Sequence, residues 1–183
     1  MIGPIPHNAG VFAVVCTLHK RGFYTLGQGV FSTVLGRDDW PYAIKVGNGR
    51  DNWVEYVEWA TAHGWAGGFA PRVYRLRRCE WGVIAIMERL ERTMWNIPDD
   101  SPHREARDCL MRVNRGELLD ARYPGIGCFF RRVQAAGFYG DWSFSNFMVK
   151  GPRLVLTDPS SDSGSNARRR WKAIDVVQGR AGI

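Results

Sequence analysis

Lysine is the scarce cation in this chain. Of 25 Lys and Arg side chains only Lys20, Lys45, Lys150 and Lys172 are lysines. Lys45 lies inside the β-favouring run Tyr42-Ala43-Ile44-Lys45-Val46, aimed by strand alternation at the same face as Ala43. A mid-strand lysine is ordinarily a solvated edge residue, but beside a glycine loop it is also a cation suited to nucleotide phosphates. Such a loop precedes it: Gly27-Gln28-Gly29 separates two β-rich runs, and Val34 follows five residues past the second glycine. Glycines there let backbone N–H groups approach phosphate oxygens with no Cβ in the way, although a hairpin uses glycine for its own geometry as well. A carboxylate from the segment after Lys45 would hold the ammonium in place. Glu58 lies nearer the Trp53/Val54/Val57 stripe and is favoured over Glu55, which reads as a surface charge.

A second constellation lies further along, in Gly140-Asp141, Asn146 and the run Leu154-Val155-Leu156-Thr157-Asp158. Two carboxylates and a carboxamide at strand ends are oxygen ligands of the kind Mg2+ takes, together with water and substrate phosphates. The same residue types also form turns and caps without any metal.

The elements that must position these groups follow from periodicity and turn chemistry. Residues 11–18 read as a short strand after a Pro-containing arm. Runs at 23–26, 31–35 and 42–46, separated by Gly27-Gln28-Gly29 and Gly36-Arg37-Asp38-Asp39, read as an antiparallel meander. Residues 51–63 carry Trp53, Val54, Val57 and Ala60 at helical spacing, with Asp51 or Asn52 as N-cap and Gly64 as stop. Runs at 72–78 and 82–88 form a hairpin that completes a five-stranded sheet. Helices are expected at 101–119 and 125–136, and a strand pair at 146–149 and 154–156 turning through Lys150-Gly151-Pro152-Arg153. Residues 159–166 are too rich in Ser, Asp, Gly and Pro for a regular element. The cluster Arg168, Arg169, Arg170 and a short helix or strand follow.

The whole composition bounds the class. With 183 residues, 45% hydrophobic, 23% charged, eight Trp and nine Phe, the chain can bury a core and is too apolar for disorder. The apolar run near 11–16 is too short to span a bilayer and lacks a preceding basic region, so a soluble, cytoplasmic protein without a membrane partner is expected. Cys16, Cys79, Cys109 and Cys128 are scattered, signalling neither a disulfide framework nor a zinc site. A net charge of +7 draws polyanions, so Arg168, Arg169 and Arg170 could meet an acidic partner or nucleic acid, or be solvated.

Taken in chain order, the glycine loop, strand lysine, helix glutamate, Asp-x4-Asn and late strand-terminal Asp resemble the protein kinase superfamily over roughly residues 22–160. Gly27, Gly29 and Val34 match its G-x-G-x-x-G-x-V loop, with Ser32 at the third glycine. Tyr42-Ala43-Ile44-Lys45 resembles its V-A-I-K strand. Met87 falls at the gatekeeper position, with the Glu88 and Leu90 backbones where a hinge pairs with adenine. Tyr139-Gly140-Asp141 stands at H-R-D, Asn146 at the second metal ligand, and Asp158-Pro159-Ser160 at D-F-G. The departures are specific: Gly140 replaces the Arg that reads a phosphorylated activation loop, and Ser143 replaces the catalytic-loop Lys. Pro159 and Ser160 replace Phe and Gly, and the sequence after Asp158 holds no A-P-E signature.

The resemblance implies an α+β, bilobal protein-kinase-like fold. Its N-lobe (1–86) would be a five-stranded antiparallel sheet with one helix, followed by a hinge (87–91) and a reduced, mainly helical C-lobe (92–183). It implies ATP-dependent phosphoryl transfer to protein Ser or Thr, with Mg2+, in the manner of the compact serine/threonine kinases of tailed phages, whose place of action would be the host cytoplasm. Gly27, Gln28, Gly29, Val34, Ala43, Lys45, Glu58, Met87, Glu88 and Leu90 would bind the nucleotide. Asn146 and Asp158 would hold the metal, and Asp141 would be the catalytic base. Two other readings stay open: a pseudokinase acting as a binding or inhibitor module, and a small-molecule phosphotransferase, whose H-G-D is similar to Tyr139-Gly140-Asp141.

Overall fold

Strand alternation and turn residues produce an antiparallel β-sheet as the first large element of the chain. In the computed structural model, which describes residues 10–92, 125–138, 146–151 and 153–159, five strands form it. They are β1 (Tyr24–Gln28), β2 (Ser32–Arg37), β3 (Trp40–Gly47), β4 (Val73–Cys79) and β5 (Gly82–Glu88). Their order is β1-β2-β3-β5-β4, which places β3 at the centre and β1 and β4 at the edges. Among the described residues the chain is thus α+β, with three helices.

The segment expected to be a strand at 11–18 is instead the helix α1 (Val11–Lys20). Its β-branched residues favour a strand locally, but Val11, Val14, Val15 and Leu18 recur at i, i+3, i+4 and i+7, which makes one apolar stripe on a helix. Val14 and Leu18 are fully buried against Leu35, Ile44, Val46 and Ile84 of the sheet, and Val11 and Val15 pack at the margin of that cluster. Tertiary burial decides the conformation here, because only a helix delivers all four side chains to one sheet face.

The other two helices are α2 (Trp53–Ala62) and α3 (Ile126–Ala135). All three helices end alike. Gly22, Gly64 and Gly137 adopt φ of 83°, 74° and 87°. Their N–H groups donate to His19, Thr61 and Gln134, while the next residues, Phe23, Trp65 and Phe138, donate to Leu18, Ala60 and Val133. This is the Schellman closure, in which the residue after the left-handed glycine packs an apolar side chain back on the last turn. Phe23 and Phe138 are buried.

Contacts group the chain into two units: Met1–Asp51 with Arg72–Arg89, and Asn52–Pro71 with Leu90–Ile183. The first holds the five-stranded sheet and α1, so the helix of this unit is α1, whereas α2 groups with the second. The second also holds a three-stranded sheet ordered β6-β7-β8, made of β6 (Glu91–Arg92), β7 (Phe147–Lys150) and β8 (Arg153–Leu156). Its core is aromatic. Tyr56 and Trp59 of α2 meet Phe138 at ring-centroid distances of 5.5 and 5.6 Å, and Phe129 of α3 meets Trp65 at 5.3 Å and Phe69 at 5.5 Å. The expected helix at 101–119 and the loop at 159–166 beyond Pro159 lie outside the described residues, as do Asp141, Ser143, Cys109, Arg168, Arg169 and Arg170.

Candidate functional site

Register places the first constellation. In an antiparallel sheet, directly opposed residues share a face, and so do residues two apart on one strand. Gly27 opposes Val34, Val34 opposes Lys45, and Lys45 opposes Ala85, while Ala43 opposes Met87 in the next row. Val34, Ala43, Lys45, Ala85 and Met87 therefore share the face turned away from α1, whose own face is formed by Leu35, Ile44, Val46 and Ile84. Five of the residues singled out from the sequence, Gly27, Val34, Ala43, Lys45 and Met87, thus come together on two adjacent rows. The small side chains of Ala43 and Ala85 flank the lysine.

Lys45 is not a solvated edge residue. It lies on the central strand and is 5% exposed. A buried ammonium needs a counter-charge, because its desolvation is otherwise uncompensated. Asp51 supplies one: its Oδ2 is 4.0 Å from Lys45 Nζ, with both side chains nearly buried. The sequence reading treated Asp51 only as a helix cap. The signal that could have found it is its position in the short connection between β3 and α2, where a carboxylate can fold back toward the strand just left. Glu55 and Glu58, the carboxylates considered for that role, are half-buried on α2 in the second unit.

Of the two loop glycines, Gly27 lies where the β1–β2 register shifts, a place that favours glycine, whereas Gly29 has no such constraint. Neither Gly27 nor Gly29 is among the positive-φ glycines. A Cβ on Gly29 would meet nothing nearer than the Ser32 carbonyl oxygen at 4.0 Å, an ordinary contact. Gly29 N–H donates to Ser32 O at 2.9 Å and closes the turn. Gln28 ends β1, and beyond Gly29 the tip carries exposed Val30 and Phe31. Glu88 is buried, with its N–H donating to Arg72 O and its Oε1 accepting from Arg72 N–H, both at 2.9 Å. Leu90, half-buried, opens the second unit's later segment.

The second constellation is held by a clamp at the end of the β7–β8 hairpin. Phe147 opposes Leu156, so Asn146 and Thr157 form the next pair outward. Thr157 donates to the Asn146 carbonyl twice, from its N–H at 2.7 Å and its Oγ1 at 2.9 Å. Of the two residues expected as metal ligands, Asn146 is thus one member of a tightly bonded pair, and Asp158 follows the other member, Thr157. Helix α2 reinforces it: Trp53 Nε1 donates to Thr157 O at 3.0 Å and Tyr56 OH to Leu156 O at 2.8 Å. Burial, with the Asp158 charge adding to it, pushes the Tyr56 hydroxyl well above its ordinary pKa, so it stays a donor at any neutral pH. Asp158 is half-buried with Oδ1 shielded from solvent. Trp53, Tyr56 and Thr157 were not singled out from the sequence as parts of this site.

No known family model and no curated protein matches this chain. Its function is therefore read from its own residues. Among the described residues no cluster of three or more His, Cys, Asp or Glu forms a metal cage, and no helix is long and apolar enough to cross a membrane. Cys16, Cys79 and Cys128 are free thiols.

Proposed function

We propose that the chain is a minimal ATP-dependent phosphotransferase of protein-kinase type, acting on Ser or Thr hydroxyls of a protein. The observation that carries this reading is the shared face of Gly27, Val34, Ala43, Lys45 and Met87, assembled from four strands by register alone. Val34, Ala43 and Met87 would offer an apolar surface to the base. Lys45, steadied by Asp51, would neutralise phosphate oxygens, and the Gly27-Gln28-Gly29 backbone would lie close to them. The finer description, a bilobal kinase-like fold with a shortened C-lobe, belongs to the same proposal.

Asn146 and Asp158 would hold Mg2+, which supplies charge neutralisation on the transferring phosphate. Asp141 would orient and deprotonate the acceptor hydroxyl. The chemistry demands little covalent participation by the protein, since positioning and electrostatic stabilisation account for most of phosphoryl transfer. A few correctly held side chains can therefore suffice.

The test is incubation with labelled ATP and Mg2+, alone and with cell lysate, for the wild type and for Lys45→Ala, Asp141→Ala and Asp158→Ala. Label transferred by the wild type and by none of the variants supports the kinase; equal labelling in all four removes it. Thermal unfolding separates the pseudokinase reading. Ligand at about 100 times its Kd stabilises by about 2.7 kcal/mol, and such a shift with no transfer identifies a binder rather than an enzyme.

A further inference from the structure

The α1 side of the five-stranded sheet ends in a row of aromatic rings that the nucleotide reading does not use. Phe23, Trp40, Tyr42 and Tyr74 follow one another across the sheet at centroid separations of 5.4, 5.3 and 5.1 Å, each edge-to-face with the next. The row leads outward from the buried Phe23, through half-buried Trp40 and Tyr42, to Tyr74, which is 47% exposed on the edge strand β4. Next to Tyr74 the same strand carries Arg75, Arg77 and Arg78 and no acidic residue. Arg75 and Arg77 oppose Ile86 and Ile84, so they lie on the same sheet face as the rings, and both are exposed. The acids nearest the other end of the row are already engaged: Asp38 accepts from Tyr24 OH, and Asp39 pairs with Arg37.

From this arrangement we propose that the Tyr74 end of the sheet is a docking surface for single-stranded nucleic acid. A polyanion is selected because the exposed charge of β4 is wholly positive, in a chain of net charge +7. A single strand is selected over a duplex because an exposed aromatic ring on a sheet, here Tyr74, is a platform for an unpaired base, with neighbouring arginines on the backbone phosphates. An acidic peptide would satisfy Arg75 and Arg77 but would gain nothing from Tyr74. The edge-to-face packing fixes the tyrosine ring before any base arrives, so little rotamer freedom is lost on stacking. Arg75 and Arg77 contact phosphate without reading sequence, and binding is sequence-tolerant.

The experiment is fluorescence anisotropy of a labelled oligothymidine titrated with the full chain at several salt concentrations. Tyr74→Ala weakens binding about tenfold, and Tyr74→Phe, which keeps the ring, restores it. Arg75→Ala and Arg77→Ala each reduce the slope of log K against log salt by about 0.7. Binding survives replacement of Arg168, Arg169 and Arg170 by Ala. Failure of the wild type to bind at low salt overturns the proposal. So does equal binding by wild type and Tyr74→Ala, or equal competition by a polyglutamate peptide at matched charge, which would mark a general acidic-partner surface. All three sites on β4 are exposed, and circular dichroism of each variant verifies that the sheet is kept.

Discussion

Lys45 and Tyr56 show how single polar groups are kept inside this protein. Lys45 stands on a central strand, where its ammonium has lost most of its water and retains Asp51 at 4.0 Å. Replacing it by an apolar side chain of similar length leaves the Asp51 carboxylate nearly buried without that cation. Lys45→Met is expected to cost about 3 kcal/mol in urea denaturation at neutral pH, and adding Asp51→Asn is expected to recover part of the loss. Full additivity of the two changes would show that the pair is not coupled.

Tyr56 is the protonation counterpart. Its hydroxyl is buried and donates to Leu156 O, and its pKa is raised well above the ordinary value of 10.0 by burial first and by the Asp158 charge second. The folded state therefore keeps a proton that the unfolded chain gives up above about pH 10, so this group's contribution is complete below that pH and is lost as pH rises beyond it. Tyr56→Phe is expected to destabilise by about 1–2 kcal/mol at pH 7, where Leu156 O loses its donor. The gap between variant and wild type narrows as pH is raised above about 10, in stability curves measured across that range. A gap independent of pH would contradict the assignment.

At the scale of elements, the turns separate glycines the fold requires from those it does not. Gly82 opens β5 with φ of 145°, and a Cβ there would run into the Gly47 carbonyl oxygen and the Asn48 backbone. Gly82→Ala is expected to cost about 3 kcal/mol or more. Gly29, on the neighbouring β1–β2 turn, has neither constraint. Gly29→Ala is expected to leave stability within about 0.5 kcal/mol of wild type while lowering the thermal shift produced by ATP with Mg2+. An unchanged shift would remove the glycine loop from the nucleotide site without disturbing the fold.

The elements themselves were unevenly legible. The meander at β1 to β3, the hairpin of β4 and β5, and the β7–β8 pair all followed from alternation interrupted by Gly, Pro, Asn and Asp. Helix α2 followed from its apolar stripe and from Gly64. Helix α1 did not. Val11, Val14, Val15 and Leu18 carried the helical period, but five β-favouring residues in ten, Val11, Phe12, Val14, Val15 and Thr17, gave the local preference to a strand. The stop signal was present in Gly22, a left-handed glycine like those at the other two helix ends, and His19 and Lys20 place basic charge in the last turn of α1.

For the whole molecule, the division into units interleaves in sequence. The chain leaves the first unit after Asp51, returns at Arg72 and leaves again after Arg89. A fragment covering residues 1–89 would therefore carry the five-stranded sheet together with α2 stripped of Phe129, Phe138 and the hairpin carbonyls that engage Trp53, Tyr56 and Trp59. Such a fragment is expected to bind hydrophobic dyes and self-associate on size exclusion, where the full chain does not. A monomeric, dye-silent fragment would mean that the aromatic core of the second unit is dispensable for the first.

Sequence by itself determined seven of the eight described strands and their turns, the stops of α2 and α3, and the order of chemistry-bearing residues along the chain, because each depends on neighbours within a few positions. Tertiary structure alone decided that α1 is a helix, that Lys45 is buried and meets Asp51, and that Asn146 is bonded to Thr157 beside Asp158. It alone also brought Phe23, Trp40, Tyr42 and Tyr74 into one row. These outcomes are set by register and burial between segments tens of residues apart. Such contacts leave no period in the local sequence, and so they become readable only when the sheet is assembled.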